Sequence, residues 1–110
     1  MTNVPNKPKI LCICRGGNIR SVSLKHTLNE TGRYDALALG PEFNTPETCE
    51  MLYRWADIII VASSELAKLI PQEWHVKLEV WHIGPDIWGT PWHENLRQTW
   101  RNILRAKKWI

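Results

Sequence analysis

No apolar run in these 110 residues approaches the ~20 residues that a membrane-crossing helix needs. The opening MTNVPNKPK carries two prolines and no apolar centre. Residues 1–8 are therefore read as a loose lead-in and not as a secretory signal. Cysteine is scarce: three residues, an odd number without framework spacing. That excludes a disulfide-stapled scaffold and predicts reduced thiols in a cytoplasmic protein. His75, His82 and His93 are scattered without zinc-ligand spacing, so no metal or other cofactor is expected. No repeat, low-complexity tract or linker interrupts the chain, which predicts a single domain over 1–110. A net charge of +3 favours anionic ligands mildly and does not argue for nucleic acid. Tryptophan is abundant instead. Seven of them point to aromatic packing, an aromatic-walled pocket, or both.

The most informative stretch is KILCICRGGNIRSVSL, Lys9 to Leu24. Ile10-Leu11-Cys12-Ile13 reads as a buried strand of parallel-sheet type. Cys14 follows, then Arg15, Gly16, Gly17, Asn18 and Ile19, and Arg20-Ser21 opens a helical pattern. Strand, glycine-bearing loop and helix N-terminus in that order make an anion cradle, with loop amides and helix dipole directed at the ligand. A cysteine at its mouth is expected to be a thiolate, because neighbouring positive charge lowers its pKa. An arginine six residues later can hold two phosphate oxygens in a bidentate grip. The spacing alone is weak evidence, since the chain has seven arginines. Its context is sharper: six residues after Cys12 stands Asn18, and six after Cys49 stands Trp55. Only Cys14 has the arginine, and only there do a strand and a helix flank the loop.

Val22, Leu24, Leu28 and His26 continue with helical spacing to a stop at Thr31-Gly32. Tyr34–Leu39 reads as a second strand. Thr45-Pro46-Glu47 then starts a helix with a hydroxyl cap and a proline in its first turn. Cys49, Leu52, Tyr53 and Trp55-Ala56 give that helix an apolar face, and Cys49 is read as core. Asp57–Ala62 is the clearest buried strand. Ser63-Ser64-Glu65 caps a short helix through Leu66, Leu69 and Ile70, which ends before Pro71. Leu78–Ile83 reads as a fourth strand with His82 on its surface. The last helix is predicted from Pro91 to Ala106, with Trp92, Leu96, Thr99, Ile103 and Ala106 on one face. Arg97, Arg101 and Arg105 form a solvated basic face beside it. Strand and helix alternate four times with crossover-length connections, which predicts an α/β fold on a parallel sheet.

GPDIWGTP, Gly84 to Pro91, follows the last strand and so shares the cradle's edge of the sheet. A loop aspartate there, Asp86, can protonate a departing oxygen.

CRGGNIRS resembles the phosphate loop of the low-molecular-weight protein tyrosine phosphatases, whose pattern is Cys-x5-Arg-Ser/Thr near the N-terminus; Cys14, Arg20 and Ser21 match it. The interior departs from that pattern: Gly17 holds the usual asparagine place, Asn18 comes one later, and Ile19 replaces a second loop cysteine. The family's late Asp-Pro-Tyr loop is matched by Asp86 and, two residues on, by Trp88, with Ile87 where the proline usually stands. The WADIIIVAS strand is a third patch of likeness, and the chain is shorter than typical members. The resemblance implies a three-layer domain, a four-stranded parallel sheet flanked by helices in flavodoxin-like strand order. It implies a metal-independent phosphomonoester hydrolase acting through a phosphocysteine: Cys14 as nucleophile, Arg20 as phosphate clamp, Asp86 as general acid. Arg15, Gly16, Gly17, Asn18, Ile19, Arg20 and Ser21 would bind phosphate, and Trp88 would line the substrate pocket. Arg15, directly after the nucleophile, is expected to favour substrates with extra negative charge.

The partner implied is a phosphorylated protein or small phosphomonoester, with membranes excluded, nucleic acid disfavoured and the oligomeric state open. Three other readings stay open. A phosphocysteine carrier of the sugar phosphotransferase IIB type needs neither Arg20 nor Asp86. Arsenate reduction would need more cysteines than Cys49. A non-catalytic module would use the loop and arginine stripe to bind anions or nucleic acid.

Overall fold

A computed structural model describes residues 7–16 and 18–110. The lead-in residues 1–6 and the loop residue Gly17 lie outside the described residues. Four parallel strands form one sheet: β1 (Lys9–Ile13), β2 (Asp35–Leu39), β3 (Ile58–Val61) and β4 (Leu78–Val80), in the order β2-β1-β3-β4. Registers pair Leu11 with Leu37 and Ile59, and Ile60 with Glu79. This is the flavodoxin-like order expected from the sequence. β1 is central, and Ile10, Leu11, Cys12 and Ile13 are at most 1% exposed, as a strand covered on both faces requires. β2, at the edge, buries Ala36 and Leu39 and leaves Asp35 and Leu37 exposed.

The helices are α1 (Arg20–Glu30), α2 (Pro46–Trp55), α3 (Ser64–Ala67) and α4 (Glu94–Ala106). The chain leaves β1 outward to β2 and then returns across it to β3. Right-handed crossovers consequently place α1 and α2 on opposite faces of the sheet. α1 packs on β1, β2 and α4, whereas α3 packs on β3 and β4. Thr45 caps α2 as expected, its Oγ1 accepting from the Thr48 N–H at 3.2 Å. Gly32, at φ +74°, lies just past the end of α1 in the left-handed region that glycine favours.

Several local expectations shift. The short helix expected through Ile70 ends at Ala67, and Ser63 gives it no side-chain cap. The fourth strand ends at Val80, although Trp81 N still donates to Val61 O at 2.9 Å. Beyond that, β3 offers no further partner, and Gly84 (φ +87°) turns the chain away. The last helix starts at Glu94 and not at Pro91. Gly89 (φ +75°) and Thr90, whose Oγ1 accepts from Trp92 N at 3.2 Å, hold a turn there, and His93 Nδ1 then caps the helix through Asn95 N at 3.1 Å. Its inward face is Leu96, Trp100 and Leu104, with Trp92 54% exposed. On α1, Ser23 and Thr27 are buried beside Leu24 and Leu28, while Val22 is only half-buried. Thr27 satisfies its hydroxyl on Ser23 O at 2.8 Å, which lets a polar residue replace an expected apolar one.

The arginine stripe is less solvated than its periodicity suggests. Arg97 and Arg101 both reach Glu30 of α1 at 3.6 Å, joining the two helices. Aromatic packing accounts for several tryptophans. Trp109 stacks on Tyr34 (5.1 Å) and meets Trp81 edge-on (4.9 Å), so the end of the chain packs.

Candidate active site

The topological switch point lies where β1 sends the chain to β2 on one side and β3 pairs on the other. Ligands of open parallel sheets bind there, beyond the carboxyl ends of the strands. A cavity of 430 Å³ occupies this edge, lined among others by Arg15, Arg20, Ser63, His82 and Asp86. These residues come from the loop after β1, the start of α1 and the loops after β3 and β4, segments tens of residues apart in sequence.

Cys14 leaves β1 almost wholly buried, 1% exposed, and does not itself line the cavity. Its Sγ donates to Ser21 Oγ at 3.1 Å, and the Ser21 N–H donates to Sγ at 3.4 Å. A hydroxyl proton rotates freely, so the same pair can reverse once sulfur is ionised, with Ser21 then donating to the thiolate. The Asn18 side chain approaches Gly16 closely: a Cβ there would lie 3.0 Å from Asn18 Oδ1, so a larger residue would have to shift that amide. Ile19 is the residue before α1 and gives that helix no side-chain cap. The first turn of α1 holds no acidic residue, whereas Glu47, Glu65 and Glu94 stand in the first turns of α2, α3 and α4. An uncapped N-terminus without a carboxylate of its own keeps its positive potential for an incoming anion.

Arg20 is 7% exposed and fixed at both ends. Its Nη1 donates to Gly84 O at 3.1 Å, and its carbonyl accepts from Trp100 Nε1 at 3.1 Å. Its Nε is buried and has no hydrogen-bond partner among the described residues. A buried, unpaired guanidinium donor is costly unless a ligand completes it. Arg15 is half-exposed, and its Nη1 meets Glu42 Oε1 at 2.9 Å while Nη2 lies 3.7 Å from Glu65 Oε2. The charge expected to draw acidic substrates is therefore already compensated within the protein.

Asp86 is exposed on the cavity wall two residues beyond Gly84. Trp88 lies elsewhere. It packs half-buried against the core, edge-on to His93 at 5.4 Å, and no tryptophan lines the cavity. His82, read from sequence as a strand-surface residue, does line it, as do Ser63 and Glu65. The signal for His82 was its position at the carboxyl end of a parallel strand. Glu42 carried no signal, because its pairing with Arg15 spans 27 residues. Among the described residues, no cluster of three His, Cys, Asp or Glu could hold a metal ion, and no helix is long and apolar enough to cross a membrane.

No family model and no curated protein sequence matches the chain. Solved structures do. Wzb of Vibrio vulnificus, in complex with benzylphosphonate, superposes with a TM-score of 0.64 at 17% identity, covering 94% of this chain and 97% of Wzb. A mutant of YwlE from Bacillus subtilis gives a TM-score of 0.60 at 16% identity, covering 93% and 99%. Both have the fold of the low-molecular-weight protein tyrosine phosphatases, and this chain shares it.

Proposed function

We propose that the chain is a cysteine-dependent phosphomonoester hydrolase of the protein tyrosine phosphatase type. The observation that carries the reading is a single constellation. Cys14 sulfur lies within hydrogen-bonding distance of both Ser21 Oγ and Ser21 N, next to a buried Arg20 whose Nε awaits a partner. The shared fold with a phosphonate-bound protein supports it.

In the first step the Cys14 thiolate attacks phosphorus and the P–O bond to the leaving group breaks. Asp86 gives its proton to that oxygen. The loop amides, the α1 N-terminus and Arg20 hold the three equatorial oxygens as charge shifts among them. In the second step water attacks the phosphocysteine and Asp86, now a carboxylate, takes its proton. The S–P bond breaks, and Ser21 donates to the departing thiolate. The near-complete burial of Cys14 sets one requirement: the loop 15–19 must admit the phosphoryl group down to the sulfur.

The test is hydrolysis of p-nitrophenyl phosphate without added metal, by the native chain, Cys14→Ser and Asp86→Asn. The expected result is turnover by the native chain and none by Cys14→Ser. A native protein that binds phosphate but never turns over would replace this reading with a carrier or binder.

A further inference from the structure

A second cavity, of 280 Å³, lies beside the first and has no part in the chemistry above. Pro41, Pro46, Tyr53, Leu69 and Pro71 supply its apolar walls. Its polar wall residues are already engaged. Asn44 Nδ2 donates to Gly40 O at 2.8 Å, and Glu50 takes Arg54 at 2.8 Å and Trp74 Nε1 at 3.3 Å. Tyr53 is kept neutral, because burial and the neighbouring Cys49 push its phenol well above the ordinary range. The surface left for a ligand is apolar. Its volume falls just under the ~300–1,000 Å³ of sites for whole small molecules, which suits one side chain better than a cofactor.

Its walls are shared with the phosphate cavity. Leu66 lines the first cavity and Leu69, in the turn that follows α3, lines the second, with Leu69 N donating to Leu66 O at 3.0 Å. Pro41 lines the second, and its neighbour Glu42 grips Arg15 at the mouth of the first. The two cavities are thus walled in part by residues that are close neighbours in the chain. Next to Pro41 in the chain, Glu42 joins Glu65 and Arg15 of the first cavity in one group, with two carboxylates against one guanidinium. Phe43, 72% exposed on the same turn, extends the apolar surface outward.

We infer that this cavity is a substrate subsite. It takes an apolar side chain of a phosphotyrosine peptide within a few residues of the phosphorylated one, while the carboxylate excess disfavours acidic residues on the way. The inference rests on the hydrolase reading for its phosphate end and on its own geometry for the rest.

The experiment walks one Leu, and separately one Glu, through positions three before to three after phosphotyrosine in an alanine peptide. Initial rates are measured with the native chain, and peptide binding is followed in parallel by fluorescence anisotropy. Leu at one register should raise kcat/KM about tenfold over Ala, as a partly open apolar pocket allows, and Glu there should lower it. Leu69→Ser should erase the Leu preference and leave p-nitrophenyl phosphate turnover unchanged, with Leu69→Met restoring the preference. That turnover also reports correct folding. A flat Leu profile overturns the subsite, as does a preference that survives Leu69→Ser. If no ester is hydrolysed but the Leu peptide binds about tenfold tighter than the Ala peptide, the hydrolase reading falls and the subsite stands.

Discussion

The guanidinium of Arg20 donates to the carbonyl oxygen of Gly84 at 3.1 Å, tying the end of the phosphate cradle to a loop 64 residues further along. The same loop carries Asp86. The proposed clamp and the proposed acid therefore sit on segments joined by this hydrogen bond. Gly84 sits at φ +87°, where nothing lies within 4 Å of an added Cβ, so Gly84→Ala tests the backbone alone. It should lower stability by about 1–2 kcal/mol in urea unfolding. It should also raise KM for p-nitrophenyl phosphate by loosening Arg20.

Ser21→Ala removes the hydroxyl 3.1 Å from Cys14 sulfur. Loss of a hydrogen bond to a charged sulfur is worth about 1.5–3 kcal/mol, so breakdown of phosphocysteine should slow about tenfold or more. Stopped-flow traces should show a larger burst of p-nitrophenolate and a slower steady phase. Ser21→Thr should largely restore the native trace.

If Asp86 delivers a proton, its loss matters most where the leaving group needs one. Asp86→Asn should cut kcat/KM about 100-fold on phenyl phosphate, whose phenol has a pKa of about 10, and clearly less on p-nitrophenyl phosphate. Because an acid must be protonated to act, the basic limb of the native pH profile should flatten in the variant. Equal losses on both esters would remove Asp86 from this role.

Glu42 and Glu65 compensate Arg15 at the mouth of the site. Each pair is exposed, so neither contributes much to stability. Glu42→Gln with Glu65→Gln should tighten inhibition by inorganic phosphate a few-fold at low salt, and the gain should fade as salt is added. Arg15→Ala in the native background should change that inhibition far less.

Burial, with the charge of Cys14 adding to it, pushes the Cys12 thiol well above its ordinary range, and burial with Cys49 does the same to Tyr53. In the unfolded chain these groups lose protons near about 8.5 and about 10. The folded chain still holds them there, so the unfolded state binds fewer protons and stability falls as pH rises. Urea midpoints should be level through neutral pH and decline above about 8.5, each group contributing up to about 1.4 kcal/mol per pH unit. Cys12→Ala should begin from a lower stability and show a shallower decline between about 8.5 and 10.

Much of the fold was legible because local rules carried it. The continuous apolar runs at Ile10–Ile13 and Ile58–Val61 became the two inner strands, and Thr45-Pro46 capped α2 as hydroxyl and proline chemistry demands. Cys14, Arg20 and Ser21 fall within eight residues, so one loop and one helix turn bring them together. The starts and faces of α1 and α4 were less legible. Thr27 and His93 act there through side-chain hydrogen bonds, whereas polarity patterns count such residues as surface.

The succession of strands and helices and the strand–loop–helix at Cys14–Ser21 depend on neighbours along the chain, so the residues alone reveal them. What faces that loop is set by packing. Arg15 meets Glu42 and Glu65, Arg20 meets Gly84 and Trp100, His82 enters the cavity and Trp88 stays out of it. These pairings join segments tens of residues apart. They are set by which loops the parallel sheet gathers at one edge, and that choice leaves no mark on the spacing of residues within any one segment.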